Sequence, residues 1–434
     1  MIDAAAVDPL PDGPDPDYGF WSQTDELAHI HSFARARRVA PYAVLGCVLR
    51  RATACIEPHV VLPPVVGGHV SANFFTLSTG ASGQGKGAAD AAGTAAVRFH
   101  DDMGNDLDAE RPSLGSGEGL ARLFKGAKDT PGLTRAHLVV PEVKTLEALT
   151  GRQGATLVGE LLKAFVGEPV GFHNAQHDTS TAIRAHSYRL CLGVGAQPEN
   201  AEFFLARAKD GLPQRFLWLP TVDPYAPEGR PDPVDPLGVL IPTFSHNCCD
   251  ERHVVQIPDS AREEIDVHRY RVLIGDPDVD PLDGHLMLTQ LKTAFAIAVL
   301  HGRNAIDETD WKIAGDLTDV SIRVRDQMRA AVDAARRRQN AARARDRAER
   351  ETIVAARLAD QAQRRVVKAV CGKLRRRGRA TRSELRVACA ASIRSEFDGV
   401  FEMMVDEEII VISESTGKRF APEYTFGPKY DGGL

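Results

Sequence analysis

The chain has 434 residues, 43% of them hydrophobic, and carries a net charge of −6. That is enough to bury a sizeable core over two or three domains. No run approaches the roughly eighteen apolar residues of a membrane span, so no membrane partner is expected. The start, "MIDAAAVDPLPDGPDPDYGF", is acidic and proline-rich, the opposite of a secretion signal. Seven scattered cysteines point to reduced thiols and a cytoplasmic location rather than a disulfide framework. The charge is unevenly spread: residues 321–434 carry 25 Lys+Arg against 16 Asp+Glu, the remainder 28 against 43. A basic C-terminal third on an acidic body suggests a polyanionic partner.

In chain order, residues 1–18 show no periodicity and read as disordered. From Phe20 to Ala54 the pattern is helical, with Ser22 or Thr24 as a first cap and Pro41 opening a second helix. Residues 66–240 then alternate strand-like and helix-like stretches, the pattern of a largely parallel sheet. The strands are "ANFFTLST" (72–79), "AHLVVPEV" (136–143), "YRLCLGVGAQ" (188–197) and "RFLWLPT" (215–221), with helices at 87–98 and 155–166 among the segments between them. Residues 282–330 read as helices, with Asp307 as a cap and Asp310 three residues on. Ala and Arg dominate from Asp326 to Gln363, which reads as a long exposed helix. Three further helices and a two-stranded ribbon follow in 364–426, the winged-helix plan.

The stretch "STGASGQGKGAADAAG" satisfies G-x-x-x-x-G-K from Gly80 to Lys86. A strand leads into it and an alanine-rich helix leaves it, so backbone N–H groups and a helix N-terminus would converge on phosphate. Gly80, Ser82, Gly83, Gln84, Gly85, Lys86 and Gly87 are the candidate nucleotide-binding residues. Gly87 stands where Ser or Thr usually holds Mg²⁺, so another group or water would have to replace that hydroxyl. Glu142, ending a neighbouring strand, is the candidate acid that holds the metal or orients water. Gln197 ends a third strand and would respond to the terminal phosphate. Arg215, ahead of a fourth, would either support its own fold or reach a neighbour's phosphate.

These residues, with "VAPYAVLGCVLRRA", "VPEVKTLEALTGRQGATL", "HSYRLCLGVGAQPE", "LPQRFLWLP" and "HGRNAIDETDWKIA", resemble P-loop ATPases of actinobacterial phages and integrated mobile elements. Such proteins are often found with primase or replication genes and are treated as helicase-like. The resemblance runs from about Phe20 to Arg325. It implies that Lys86 binds phosphate, that Glu142 is the acidic residue, and that Gln197 and Arg215 respond to the γ-phosphate. It also implies that a glycine at 87 is compatible with an active site. Arg152 falls at a family-like position with no assigned role.

Two other clusters are weaker. His246, Cys248, Cys249 and His253 lack zinc-ligand spacing, and His173, His177 and Asp178 read as a solvated or DNA-facing loop. In the C-terminal segment, Lys373, Arg375, Arg376, Arg377, Arg379 and Arg382, with Lys418 and Arg419 on the wing, would grip nucleic-acid phosphates. The third helix there is acidic (Glu396, Asp398, Glu402, Asp406, Glu407, Glu408), which argues against base reading in a duplex.

The sequence therefore predicts an α/β fold: a P-loop NTPase core with a mostly parallel sheet, flanked by an N-terminal helical segment and a C-terminal helical plus winged-helix region. The expected divisions are 1–65 (disordered start and helical unit), 66–240 (ATPase core), 241–330 (helical lid), 331–363 (charged helix linker) and 364–434 (winged helix). The expected activity is an ATP- and Mg²⁺-dependent, helicase-like motor acting on single- or double-stranded DNA. It would work as a homo-oligomer, with primase or other replication proteins as further partners. The alternative is a nucleotide-switched replication initiator or regulator without motor activity. A small-molecule kinase is a third class, disfavoured by the basic C-terminal module.

Overall fold

Both early helix starts are the ones the sequence marks. Leu27 N donates to the Thr24 hydroxyl at 3.3 Å to cap helix α1 (Asp25–Ala36), and Pro41 opens α2 (Pro41–Ala54). Every residue of α2 is buried, as expected of a helix with apolar residues on all sides. The computed structural model describes residues 17–127, 130–151, 155–172, 180–245, 252–413 and 421–432.

The central sheet has four parallel strands: β1 (Phe74–Thr79), β2 (Arg135–Val140), β3 (Arg189–Ala196) and β4 (Leu217–Pro220), in the order β2-β3-β1-β4. Strand β3 is buried along its whole length, the expected state of a parallel strand covered on both faces. One face is packed by α2, whose Arg50 hydrogen-bonds Thr76. The other is packed by aromatics, with Phe75 against Phe165 and Phe216 at ring-centroid distances of 5.4 Å. Register sets the C-terminal edge: Thr79 pairs with Ala196 and with Pro220, and Val140 with Val194. Gly80, Glu142, Gln197 and Thr221 therefore leave the sheet at one level.

Helix α3 (Lys86–Ala96) follows β1, α4 is Gly117–Lys125, α5 (Val143–Thr150) follows β2, and α6 is Leu157–Val166. After β4 come α7 (Asp259–Leu273), α8 (Leu286–Leu300) and α9 (Glu308–Arg377). The α9 start is closed by a reciprocal pair: Asp310 N donates to the Asp307 carboxylate at 2.8 Å, and Asp307 N to the Asp310 carboxylate at 3.1 Å. Aspartate thus does at the third position what Glu or Gln usually does.

One hydrophobic cluster runs from Phe20 to Val332, with no break at residue 65 or 240. The N-terminal helices and α8, expected as a separate unit and a lid, share the core of the sheet. Lys292 of α8 is fully buried and donates to the carbonyls of Ser71 and Asn73, both at 2.8 Å, and to that of Phe165. Such a helix is part of the interior.

The chain divides into two compact units, Met1–Ala335 and Arg336–Leu434, the division falling inside α9. The helix is continuous where the sequence suggested a linker and a separate basic helix. The second unit contains the end of α9, α10 (Arg382–Ala388), α11 (Phe397–Asp406) and a three-stranded antiparallel sheet. That sheet comprises β5 (Ala380–Thr381), β6 (Ile410–Ile412) and β7 (Glu423–Phe426), with β7 in the middle. Thr381 and Glu384 form a capping box at the start of α10. Phe397, Phe401 and Met404 of α11 pack with Val366, Val370 and Leu374 of α9 in a separate core. Among the described residues, no helix is long and apolar enough to cross a membrane.

Candidate functional site

The glycine-rich stretch is the turn between β1 and α3. Gly83 and Gly85 adopt φ of 81° and 76°, a left-handed backbone that glycine takes without strain. Gly80 passes so close to the Thr221 hydroxyl that a Cβ there would collide with it. The Gln84 side chain accepts from Ala81 N at 2.6 Å, tying the loop to itself. Ser82 lies in the exposed tip of this loop.

Lys86 opens α3 and folds back over the loop. Its Nζ donates to the carbonyls of Gly80 (3.0 Å) and Ala81 (3.1 Å) and lies 3.8 Å from Glu142 Oε1. Glu142 is the residue before the first turn of α5, and Gln197 Nε2 donates to its Oε2 at 3.4 Å. Asn200 Nδ2 donates to Gln197 Oε1 at 3.4 Å and completes the chain of contacts. Lys86, Glu142 and Gln197, far apart in sequence, thus meet at the C-terminal edge of three adjacent strands, where ligands of open parallel sheets bind.

A cleft of about 230 Å³ lies beside Lys86 and Gly87, lined also by Ser78, Asp90, Pro141, Gly193 and Gly195. Arg50 forms another part of its wall. This arginine is 2% exposed and spreads its guanidinium over three partners: His137 Nε2 at 3.1 Å, the Thr76 hydroxyl and the Asp90 carboxylate. Burial, reinforced by the Arg50 charge, holds His137 well below the ordinary imidazole range, so the ring stays neutral and accepts the Arg50 N–H. Gly193 makes room for the guanidinium, and Gly195 for the Pro141 carbonyl and the Lys86 stem. Sequence reasoning missed Arg50, Asp90 and His137. The available signal was a pair of arginines in an otherwise apolar helix. The second of them, Arg51, donates to the carbonyls of Gly93, Thr94 and Val97 and closes the end of α3.

Arg215 does not join this group. Leu217 pairs with Thr76, which puts Arg215 level with Phe74, at the opposite edge of the sheet and ~20 Å from the loop. Its Nη1 donates to Gly211 O at 2.6 Å, its guanidinium lies 5.9 Å from the Phe165 ring centroid, and burial lowers its pKa. Those contacts support its own fold.

The basic residues of the second unit are partly engaged within it. Arg377 pairs with Glu384 (2.7 Å), Arg379 with Glu423 (3.3 Å) and Arg382 with Asp398 and Glu402 (2.9 and 3.5 Å). Arg375 donates to the Tyr430 hydroxyl. Arg376 is exposed and Lys373 half-buried. The acidic third helix therefore offsets Arg382, while Glu384 of α10 and Glu423 of β7 offset Arg377 and Arg379. Lys418 and Arg419 lie outside the described residues, as do Arg152, His173, His177, Asp178, His246, Cys248 and Cys249. His253 lies within them, its Nδ1 3.2 Å from Ser245 O. No protein-family model matches this chain, and no curated protein matches it.

Proposed function

We propose that the first unit is a P-loop NTPase core and that the chain is an ATP-dependent, helicase-like motor acting on DNA in the replication of a phage or mobile element. The observation that carries this reading is the meeting of Lys86, Glu142 and Gln197 beside the glycine loop. Lys86 would neutralise charge on the transferring phosphoryl group. Glu142, held by Gln197, would orient the attacking water, so that a change at the terminal phosphate is felt through that hydrogen bond. Of the oxygen donors near the loop, the Ser78 hydroxyl and the Glu142 carboxylate suit Mg²⁺, the Asp90 carboxylate being paired with Arg50. Bound there, the ion would supply charge neutralisation on the phosphates. Arg215 lies at the far edge of its own sheet, so a γ-phosphate it reached would be a neighbouring subunit's.

The helix-and-ribbon order of the second unit supports a winged-helix reading, with Lys373 and Arg376 as the two residues of the candidate cluster outside its ion pairs and the Arg375–Tyr430 bond, and Lys418 and Arg419 as wing candidates. It would hold DNA by backbone phosphates. Assembly into a ring or filament, with primase or other replication proteins as partners, follows from the family resemblance.

A second reading, a nucleotide-switched initiator or regulator, is favoured by one feature: position 87 lacks a metal-holding hydroxyl, and Asp90 is already engaged by Arg50. The deciding experiment measures ATP hydrolysis by the purified chain alone, with single-stranded DNA and with duplex, beside Lys86→Ala. DNA-stimulated turnover that Lys86→Ala abolishes is the expected result. Binding without turnover on any nucleic acid would overturn the motor and favour the switch.

A further inference from the structure

Two clefts open on the glycine loop, one on each side of β1. The first, beside Lys86 and Gly87, faces the β2 and β3 ends. The second, of about 320 Å³, is lined by Gly83, Gln84 and Gly85 of the same loop, by Thr221, Asp223 and Ala226 after β4, and by the α1–α2 junction. A phosphate chain whose terminal group lies near Lys86 and Glu142 leaves the loop on the other side, toward β4. Whatever the phosphate chain is attached to must then enter the second cleft.

That cleft is built by a strained piece of backbone. Arg38, between α1 and α2, has φ of 58°, a left-handed conformation that costs a non-glycine residue on the order of 1 kcal/mol or more. The turn is braced on the far wall. Arg35 grips the Asp223 carboxylate with two bonds at 2.8 and 3.0 Å, and the Arg38 guanidinium donates to the carbonyls of Pro227 and Glu228. Val39 and Ala40 follow directly and add apolar surface. A guanidinium held flat by backbone carbonyls, next to small apolar side chains, suits the face of an aromatic base.

We infer that this second cleft is the nucleoside subsite: the base and ribose of a nucleoside triphosphate lie between the Arg35–Ala40 turn and the 221–226 loop. The inference rests on the nucleotide reading of the loop, and it assigns to Arg38 a binding role. It also makes the α1–α2 junction, rather than the sheet, the determinant of which base is accepted.

The test compares Mg²⁺-dependent binding of ATP with that of inorganic tripolyphosphate by titration calorimetry. The proteins are the wild-type chain, Arg38→Gly, Ala226→Trp and Lys86→Ala. Glycine relieves the positive φ of Arg38, which offsets the two hydrogen bonds lost with its guanidinium, and Ala226 is exposed, so both cleft variants are expected to fold, with thermal midpoints within a few degrees of wild type. The expected result is that each weakens ATP about tenfold or more and leaves tripolyphosphate unchanged, while Lys86→Ala weakens both ligands. Equal affinity of the wild type for the two ligands, or cleft variants that leave ATP affinity intact, overturns the subsite and spares the loop. Failure of the wild type to bind either ligand overturns both.

Discussion

Arg50 Nε donates to His137 Nε2 across 3.1 Å inside the face of the sheet covered by α2. The same guanidinium holds Thr76 and Asp90, so one side chain joins α2, β1, β2 and α3 around the candidate site. Removing it leaves three polar groups short of a partner, one of them an acid. Arg50→Met is expected to cost about 3–5 kcal/mol in urea unfolding. Adding His137→Leu to that variant should cost less than the two single changes summed, by about 1 kcal/mol or more, because the histidine is then no longer an orphan. Strict additivity would show that the two side chains act independently.

Gly87 has open space where a Cβ would go. Gly87→Thr should therefore fold normally and gain a few tenths of a kcal/mol from helix propensity, read as an unchanged or slightly raised thermal midpoint. Under the proposed reading, the added hydroxyl should also raise ATP turnover at limiting Mg²⁺. A lower midpoint would show that the loop is more crowded than its geometry indicates.

Arg215 touches its own fold through the Gly211 carbonyl and the Phe165 ring. Arg215→Met keeps the packing against Phe165 but loses the bond to Gly211, a cost of about 1 kcal/mol. Turnover per folded molecule should stay at the wild-type level. A collapse of turnover at unchanged stability, restored by mixing with a Lys86→Ala chain, would instead reveal an arginine acting across a subunit boundary.

Acid should weaken the first unit before it reaches the carboxylates. Burial pushes His186 and His285 down from 6.5 to about 4, and neighbouring cations, Arg252 and Arg215 among them, add to the effect. The unfolded chain then binds protons that the folded chain refuses between these values. Stability is complete above pH 6.5 and falls as pH drops toward 4. The loss should be on the order of 2–4 kcal/mol for the two together, discounted for partial exposure. Urea midpoints at pH 7, 6, 5 and 4.5 test this, and a flat series would refute it.

The basic residues of the second unit should separate into two behaviours. Under the proposed reading, Lys373→Ala with Arg376→Ala should weaken binding to any DNA and flatten its salt dependence by about two counterions' worth. Arg382→Ala breaks contacts to Asp398 and Glu402 and frees acidic charge beside α11, so it should disturb packing as well as binding. Filter binding across a salt series, read beside thermal melts, distinguishes them.

The sheet was legible because its strands are near-continuous apolar runs and its loop carries the glycines that only one backbone shape needs. Glu142 and Gln197 were legible as polar residues ending such runs. Arg50 was not, since an arginine in a helix reads as a surface charge until the opposing strand is seen to offer Gly193. Nor could pattern reveal that α2 and α8 are interior. A helix with apolar residues on all sides leaves its neighbours unspecified, and the lysine in α8 reads as exposed. The basic cluster was legible as charge but not as partly neutralised charge, because Arg382 meets Asp398 and Glu402 only through the fold. The single helix Glu308–Arg377 reads as separate segments in the sequence because its core-facing ends differ in composition from its exposed middle.

The cysteines carry one further consequence. Cys47, Cys55 and Cys191 in the first unit, and Cys371 and Cys389 in the second, are all buried as free thiols. Burial pushes the first two up to about 12 and the third to about 11, and raises the other two as well. A thiol of that kind reacts with an alkylating reagent only when the surrounding structure opens. The chain thus contains two native sets of opening clocks, one for each unit. Following alkylation at each position by peptide mass times the breathing of each unit in the same tube, without a single substitution.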